Sequence, residues 1–277
     1  MAKGIGLIGN FKGKVGNMVG YKLSDSNTGN SQGIRVYQPI VRNPKTSAQA
    51  EQRAKLAPIN ATYRALKMVI DRGNEGLPYG NKSRLAWLKQ AFKAQSMPWF
   101  VKGTTPNYPV LCQLTKGSLS GINAVPEDDY LTISCDGVTT SSPVNTIGAV
   151  STLLMAAYPF LKAGDQITFV AVDGGGDVIS SSILSIVLDA TSAEATTMFA
   201  AAADELHITM GVAVIAAAVI VSREGANGEH LRSNSTLILE TSHVGHAPYD
   251  ATSKAAAIES YQNAASANAD WAEESIQ

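Results

Sequence analysis

The chain has 277 residues, of which 45% are hydrophobic and only 16% charged. This excludes a disordered chain and supplies core for one large domain or two ordinary ones. The formal net charge of −1 conceals a division: residues 1–116 carry 18 Lys/Arg against Asp25, Glu51, Asp71 and Glu75, a balance of +14, whereas residues 117–277 carry 4 Lys/Arg against 19 Asp/Glu, a balance of −15.

Such asymmetry points to contact with a polyanion or to head-to-tail association. The alternative is that the two halves neutralise each other within one fold.

Residues 1–45 are punctuated by Gly4, Gly6, Gly9, Gly13, Gly16, Gly20, Gly29 and Gly33. Glycine at this density disfavours helix and permits tight bends and close backbone approach. An extended arm or irregular hairpin is expected, with Ser24–Asn30 as a turn and Ile34–Val41 as an extended segment stopped at Asn43-Pro44.

Thr46 then offers an N-cap, and Gln49 completes the spacing of a capping box. Leu56, Ile59, Tyr63, Leu66 and Ile70 fall on one helical face, with Gly73 ending the run. Pro58 lies inside it and is expected to kink or interrupt the helix. A second helix is predicted over Ser83–Gln95, with Leu85, Leu88 and Phe92 inward and Lys82, Arg84, Lys89 and Lys93 flanking or opposite. Pro98 closes it.

From about residue 106 lysine nearly vanishes and Thr, Ser and Val rise. Strands are predicted at Val110–Leu114, Tyr130–Ser134, Gln166–Val172, Val178–Val187, His207–Met210, Ala217–Ser222 and Thr236–Glu240. Turn signals at Asp136-Gly137, Asp173-Gly174-Gly175-Gly176 and Asn227-Gly228 separate several of them. The alanine-rich stretch Thr191–Glu205 reads as a short helix. A C-terminal helix over Ser253–Gln277 is expected to pack through Ala256, Ile258, Tyr261 and Ala265.

The expected fold class is α+β, in four parts. An extended basic arm (1–45) and a basic helical region forming a helical hairpin (46–105) come first. A β-rich domain of sandwich type, Ig-like or Greek-key (106–248), and a C-terminal helix (249–277) follow.

Two cysteines, Cys112 and Cys135, share no Cys-x-x-Cys motif and read as small buried hydrophobes. Gly4-Ile5-Gly6-Leu7-Ile8-Gly9 matches the dinucleotide fingerprint literally. Only three residues precede it and glycine-rich sequence follows, so the required strand and helix are missing. His243 and His246 stand close together, but no further metal ligand has convincing spacing. No nucleophile elbow or other catalytic constellation is present, so no enzyme activity, cofactor or metal is expected. The first residues lack the apolar run of a signal peptide. The longest apolar run, Met210–Val221, is too short to span a bilayer.

The stronger signal is basic. Lys12, Lys14, Lys22, Arg35, Arg42, Lys45, Arg53 and Lys55 fall in extended sequence and the first helical turns, interleaved with Phe11, Tyr21, Tyr37, Tyr63, Trp87 and Trp99. Cations release counterions on meeting phosphates, and exposed rings stack on bases. For Tyr63 and Trp87 a core position is the better reading. No base-reading module is recognisable, so binding would be sequence-tolerant.

The segment Gly9-Asn10-Phe11-Lys12-Gly13-Lys14-Val15-Gly16-Asn17-Met18-Val19-Gly20, with Arg42-Asn43-Pro44-Lys45-Thr46 and Gln49-x-x-Gln52-Arg53-x-Lys55, resembles a family of uncharacterised proteins of gut-associated bacteria and their phages. Ile220–Gly225 followed by Ser233-Asn234-Ser235 is similar to that family's final hairpin. The likeness covers residues 4–70 best and is patchy beyond 116. It implies no established activity. Its phage association implies a non-enzymatic virion structural or assembly protein. The partners would be a second copy of the chain, other virion proteins and nucleic acid, with no membrane. The alternative is a cytoplasmic, sequence-nonspecific nucleic-acid-binding accessory protein.

Overall fold

The computed structural model of the chain describes residues 13–22, 32–37, 46–94, 96–127, 129–135, 144–173, 177–202, 204–226, 228–240 and 249–263. The chain divides into two compact units, Met1–Pro44 and Lys45–Gln277.

In the first unit, β1 (Gly13–Val15), β2 (Met18–Lys22) and β3 (Gln32–Val36) form an antiparallel sheet in that order. Gly16 and Asn17 make the two-residue turn between β1 and β2, and Gly16 takes the positive φ of +58° that such turns demand. Of the two forms expected, an extended arm or a hairpin, these residues adopt the hairpin. The turn expected at Ser24–Asn30 and the end of the segment Ile34–Val41 lie outside the described residues.

The second unit opens with α1 (Ser47–Ala65), α2 (Lys67–Ile70) and α3 (Asn81–Ala91). Thr46 caps α1 by accepting the Gln49 N–H at 3.4 Å. Of the kink or interruption expected at Pro58, no interruption occurs: α1 runs through it. Pro58 is buried, so packing offsets the hydrogen bond that its missing N–H cannot give, and its own carbonyl accepts the Thr62 hydroxyl at 2.9 Å in the following turn. Of the face expected inward, Ile59, Leu66 and Ile70 are buried and Tyr63 packs against the same core, whereas Leu56 is 44% exposed. Ala50, Ala54, Pro58 and Thr62 complete the buried side of α1. Small side chains there let α5 (Ala251–Asn263), with Ala257 fully buried, pack on the helix.

In α3 the buried residues are Ser83, Trp87 and Ala91, and Leu85 is exposed. Trp87 decides the rotation, because it is the largest apolar side chain of the segment and its burial contributes most. Ser83 fits against α2 by donating its hydroxyl to the Ile70 carbonyl at 2.8 Å.

The remaining elements are β4 (Gln113–Thr115), β5 (Val125–Glu127), β6 (Tyr130–Ser134), α4 (Ile147–Ala157), β7 (Gln166–Asp173), β8 (Ser180–Val187), β9 (Phe199–Ala202), β10 (Glu205–Thr209), β11 (Ala216–Glu224), β12 (His230–Arg232), β13 (Ser235–Thr236) and β14 (Ile238–Leu239). They build antiparallel sheets in the orders β5-β6-β10-β9 and β12-β11-β7-β8, with β14 also on β11, and a small β13-β4 pair. The α+β class therefore holds.

β7 and β11 are the hinge of the architecture. Ile167, Phe169, Ala171, Ala217, Val219 and Val221 enter one core with Leu131 and Ile133 of β6, Leu206 and Ile208 of β10, and Leu153 and Leu154 of α4. Val170, Val172, Ala216, Ala218 and Ile220 enter a second core with Ile59, Leu66, Ile70, Trp87 and Ala257 of the helices. Strands covered on both faces lose the polar alternation, which explains the apolar run ending at Val221. The two cores place the helical region, the sheets and α5 in one unit. Among the described residues no helix is long and apolar enough to cross a membrane.

The helix expected over Thr191–Glu205 is absent: residues 199–202 form β9 and pair with β10. Alanine's helix preference is a weak prior. It yields to ladder pairing and to Phe199, buried edge-on to Phe169 at 5.8 Å. Ala256, expected to pack inward, is exposed on α5, and its neighbour Ala257 takes that place. Cys112 and Cys135 are both buried thiols.

Candidate polyanion-binding surface

In the first unit, antiparallel pairing sets Lys14 opposite Val19 and Val19 opposite Arg35. Side chains of paired residues share a face, so these three form one row across the sheet. Lys14 and Arg35 are exposed. The Lys14 ammonium lies 3.6 Å from the Tyr37 ring centroid, a cation–π contact that fixes its direction without neutralising it. Met18 and Val36 pair on the opposite face and are 42% and 74% exposed. The sheet thus has one basic, aromatic face, with Met18 and Val36 exposed on the other.

Of the other residues predicted to meet a polyanion, Lys12, Arg42 and Lys45 lie outside the described residues. Lys22 ends β2, opposite Gln32. Arg53 and Lys55 belong to α1 of the second unit, where Arg53 is half-buried. Lys55 pairs with Glu51 at 3.0 Å, and Lys254 of α5 reaches the same carboxylate at 3.3 Å. Both lysines also approach the Trp99 ring, at 5.8 and 5.1 Å. Hydrogen bonding from Lys55 is the main reason the Glu51 carboxyl is held below its ordinary range. Lys55 therefore has an internal structural partner.

The second unit also carries a basic stripe made of residues not among those predicted to meet a polyanion. Lys82 and Lys89 on α3 and Lys93 in the turn after it are exposed, at spacings of seven and four residues, which places them on one side of the helix. They span about 16 Å at the helical rise. No Asp or Glu occurs between residues 76 and 126.

The three carboxylates of residues 46–126 are each engaged. Glu51 holds Lys55 and Lys254. Asp71 is buried and accepts the Tyr63 hydroxyl at 2.9 Å. Burial, and then that bond, push the Tyr63 hydroxyl pKa upward. Arg84 stacks 4.6 Å over the same ring. Glu75 accepts the Ser118 N–H at 2.8 Å, the Ser118 hydroxyl at 3.0 Å and the Arg232 N–H at 3.1 Å. Burial alone would raise the Glu75 carboxyl, but these donors outweigh it and hold it low.

Tyr63 and Trp87 are thus core or near-core residues, as read from the sequence. The signal that could have pointed to α3 is the acid-free stretch itself. Its meaning depends on where Glu51, Asp71 and Glu75 are spent, and only the fold shows that.

Chemically, the stripe offers three ammonium groups, two on α3 and one in the turn after it, suited to backbone phosphates or to a carboxylate-rich protein face. Among the described residues no group of three or more His, Cys, Asp or Glu could hold a metal ion. The His243/His246 pair and the glycine-rich Gly4–Gly9 segment lie outside those residues. The chain matches no protein-family model, no curated protein and no solved structure.

Proposed function

We propose that the chain is a non-enzymatic structural or assembly protein of a phage particle, located in the virion, whose basic N-terminal region contacts nucleic acid or the acidic surface of neighbouring copies. The observation that carries this reading is the exposed basic stripe Lys82/Lys89/Lys93, without an ion-pair partner among the described residues, in a region whose three carboxylates are all engaged internally. The exposed Lys14/Arg35 row adds a second basic face in the first unit. The virion assignment rests on the likeness of residues 4–70 to proteins of gut-associated bacteria and their phages. On this reading the two large sheets form an Ig-like or Greek-key sandwich that serves as a shell module, and other virion proteins are partners.

Exposed acids of the second half, among them Asp177, Asp189, Glu194, Asp204 and Glu205, supply the complementary charge for head-to-tail contact between copies. Light scattering of the purified protein at low and high salt tests this. Oligomers that dissociate as salt rises are expected, and a salt-indifferent monomer overturns self-assembly.

The second reading, a cytoplasmic nucleic-acid-binding accessory protein, is favoured by the same stripe if phosphate is its only partner. Mass spectrometry of purified particles against cell lysate separates the two.

A further inference from the structure

The loop Arg72–Tyr79 before α3 and the β11–β12 hairpin border an open cleft of about 940 Å³, lined among others by Arg72, Leu77, Tyr79, Gln166, His230 and Arg232. That volume is within the range of small-ligand sites. A Cβ at Gly117 would collide with the Arg232 carbonyl, so glycine there lets the chain lie tight against β12.

Two carboxylates in or beside the lining have internal partners. Asp165 grips Arg223 at 2.6 Å. Glu75 is saturated by the donors of Ser118 and Arg232. Glu224 and Glu229, both exposed, are the remaining acids of the lining.

The Arg232 side chain is half-buried and lines the cleft with Arg72, while the Glu75 carboxylate sits on the Arg232 backbone N–H. Burial first, and the Arg72 charge second, both push the Arg232 guanidinium below its ordinary value. Arg72 lies 5.2 Å from the centroid of the Tyr79 ring, and that residue is still 66% exposed.

Two like charges gathered at a partly desolvated wall form an arrangement that an anion stabilises. Guanidinium forks match phosphate oxygens bidentately, and an exposed ring with a cation beside it suits a stacked base.

We propose that this cleft binds a nucleoside phosphate, with Arg72 and Arg232 on the phosphate and Tyr79 on the base. The source is a free mononucleotide or one nucleotide of a single strand. The inference stands apart from the basic-stripe reading, because Lys82, Lys89 and Lys93 are not in the lining.

Calorimetric titration of the full chain with AMP, adenosine and inorganic phosphate tests it. AMP is expected to bind about tenfold or more tightly than either fragment, since it alone engages both charge and ring. Arg72→Gln should weaken AMP by about tenfold. Tyr79→Ala should bring AMP to the level of phosphate and leave phosphate unchanged. Both residues are exposed, so an unchanged thermal midpoint will show that the fold is kept.

A ten-nucleotide thymidine strand that displaces AMP identifies a strand as the source, and failure to displace it identifies the free nucleotide. Replacing Lys82, Lys89 and Lys93 by Gln should leave AMP affinity unchanged, which separates failure of the cleft from failure of the stripe. AMP no tighter than phosphate, or indifferent to both Arg72→Gln and Tyr79→Ala, overturns the proposal.

Discussion

Arg223 holds Asp165 through two contacts of 2.6 Å, one from Nε and one from a terminal nitrogen, and gives a further N–H to the Phe160 carbonyl at 2.8 Å. The Asp165 side chain is 1% exposed and also accepts the Lys162 N–H at 2.8 Å. The pair ties the segment before β7 to the end of β11, strands already bound by the ladder from Ala216↔Val172 to Ser222↔Gln166.

Deleting one partner of such a pair leaves a buried charge without compensation. Arg223→Ala is expected to cost about 3–5 kcal/mol in urea unfolding. The double variant Arg223→Met with Asp165→Leu should recover much of that loss, because the stranded carboxylate is the source of the cost. A single-variant loss within about 0.5 kcal/mol, the scale of ordinary surface changes, contradicts this account.

Glu75 joins segments far apart in sequence, since it accepts from Ser118 and from the Arg232 backbone. Its carboxyl is held below the ordinary range by those donors despite burial, so the charged form is favoured in the folded state. The stabilisation is present above the unfolded carboxyl value and is lost as pH falls through the lower folded one. Glu75→Gln should lower stability at neutral pH by about 1–3 kcal/mol. It should also flatten the acid limb of a stability–pH curve below about pH 4.5. Equal acid sensitivity in the two proteins would count against the role given to Glu75.

Much of the fold was legible where local pattern and packing agree. Tyr130–Ser134 reads as a strand and is β6 without revision, and Gln166–Val172 differs from β7 by one residue. α4 was not foreseen because Ile147–Ala157 carries no charged residue and no clear polar side. Thr191–Glu205 misled through alanine content, which loses to strand pairing when Phe199 has a core to enter. For the candidate surface, the count of cations was readable, but their compensation was not. The partners of Glu75 lie 43 and 157 residues away, and no local pattern reports such contacts.

Cys112 packs in the same core as Trp87, and burial pushes its thiol up to about 12. The thiolate is therefore disfavoured in the folded protein. Thiol titration with a disulfide reagent at pH 8 should leave Cys112 unreacted in native protein and label it in urea. The linked stability is complete below the unfolded value of 9.0 and falls as pH rises from there toward about 12. Rapid labelling of Cys112 without unfolding would contradict its placement.

The stripe Lys82/Lys89/Lys93 makes a quantitative prediction about salt. If these ammonium groups meet phosphates, replacing all three by Gln removes the counterions they would release. In filter-binding titrations against random-sequence duplex DNA, the slope of log affinity against log salt should shrink by about 0.9 for each lysine that touches a phosphate. The full change for the triple variant is thus about 2.7. The loss should be nearly the same for unrelated sequences, because lysine is a point charge that reads no base edge. All three residues are exposed and lack a carboxylate within their helix, so the thermal midpoint should move little. An unchanged slope with an intact fold would place any DNA contact elsewhere and leave the acidic face of a neighbouring copy as the partner of this helix. That partner predicts a different loss: the triple variant would then stay monomeric at the low salt at which the unaltered protein associates.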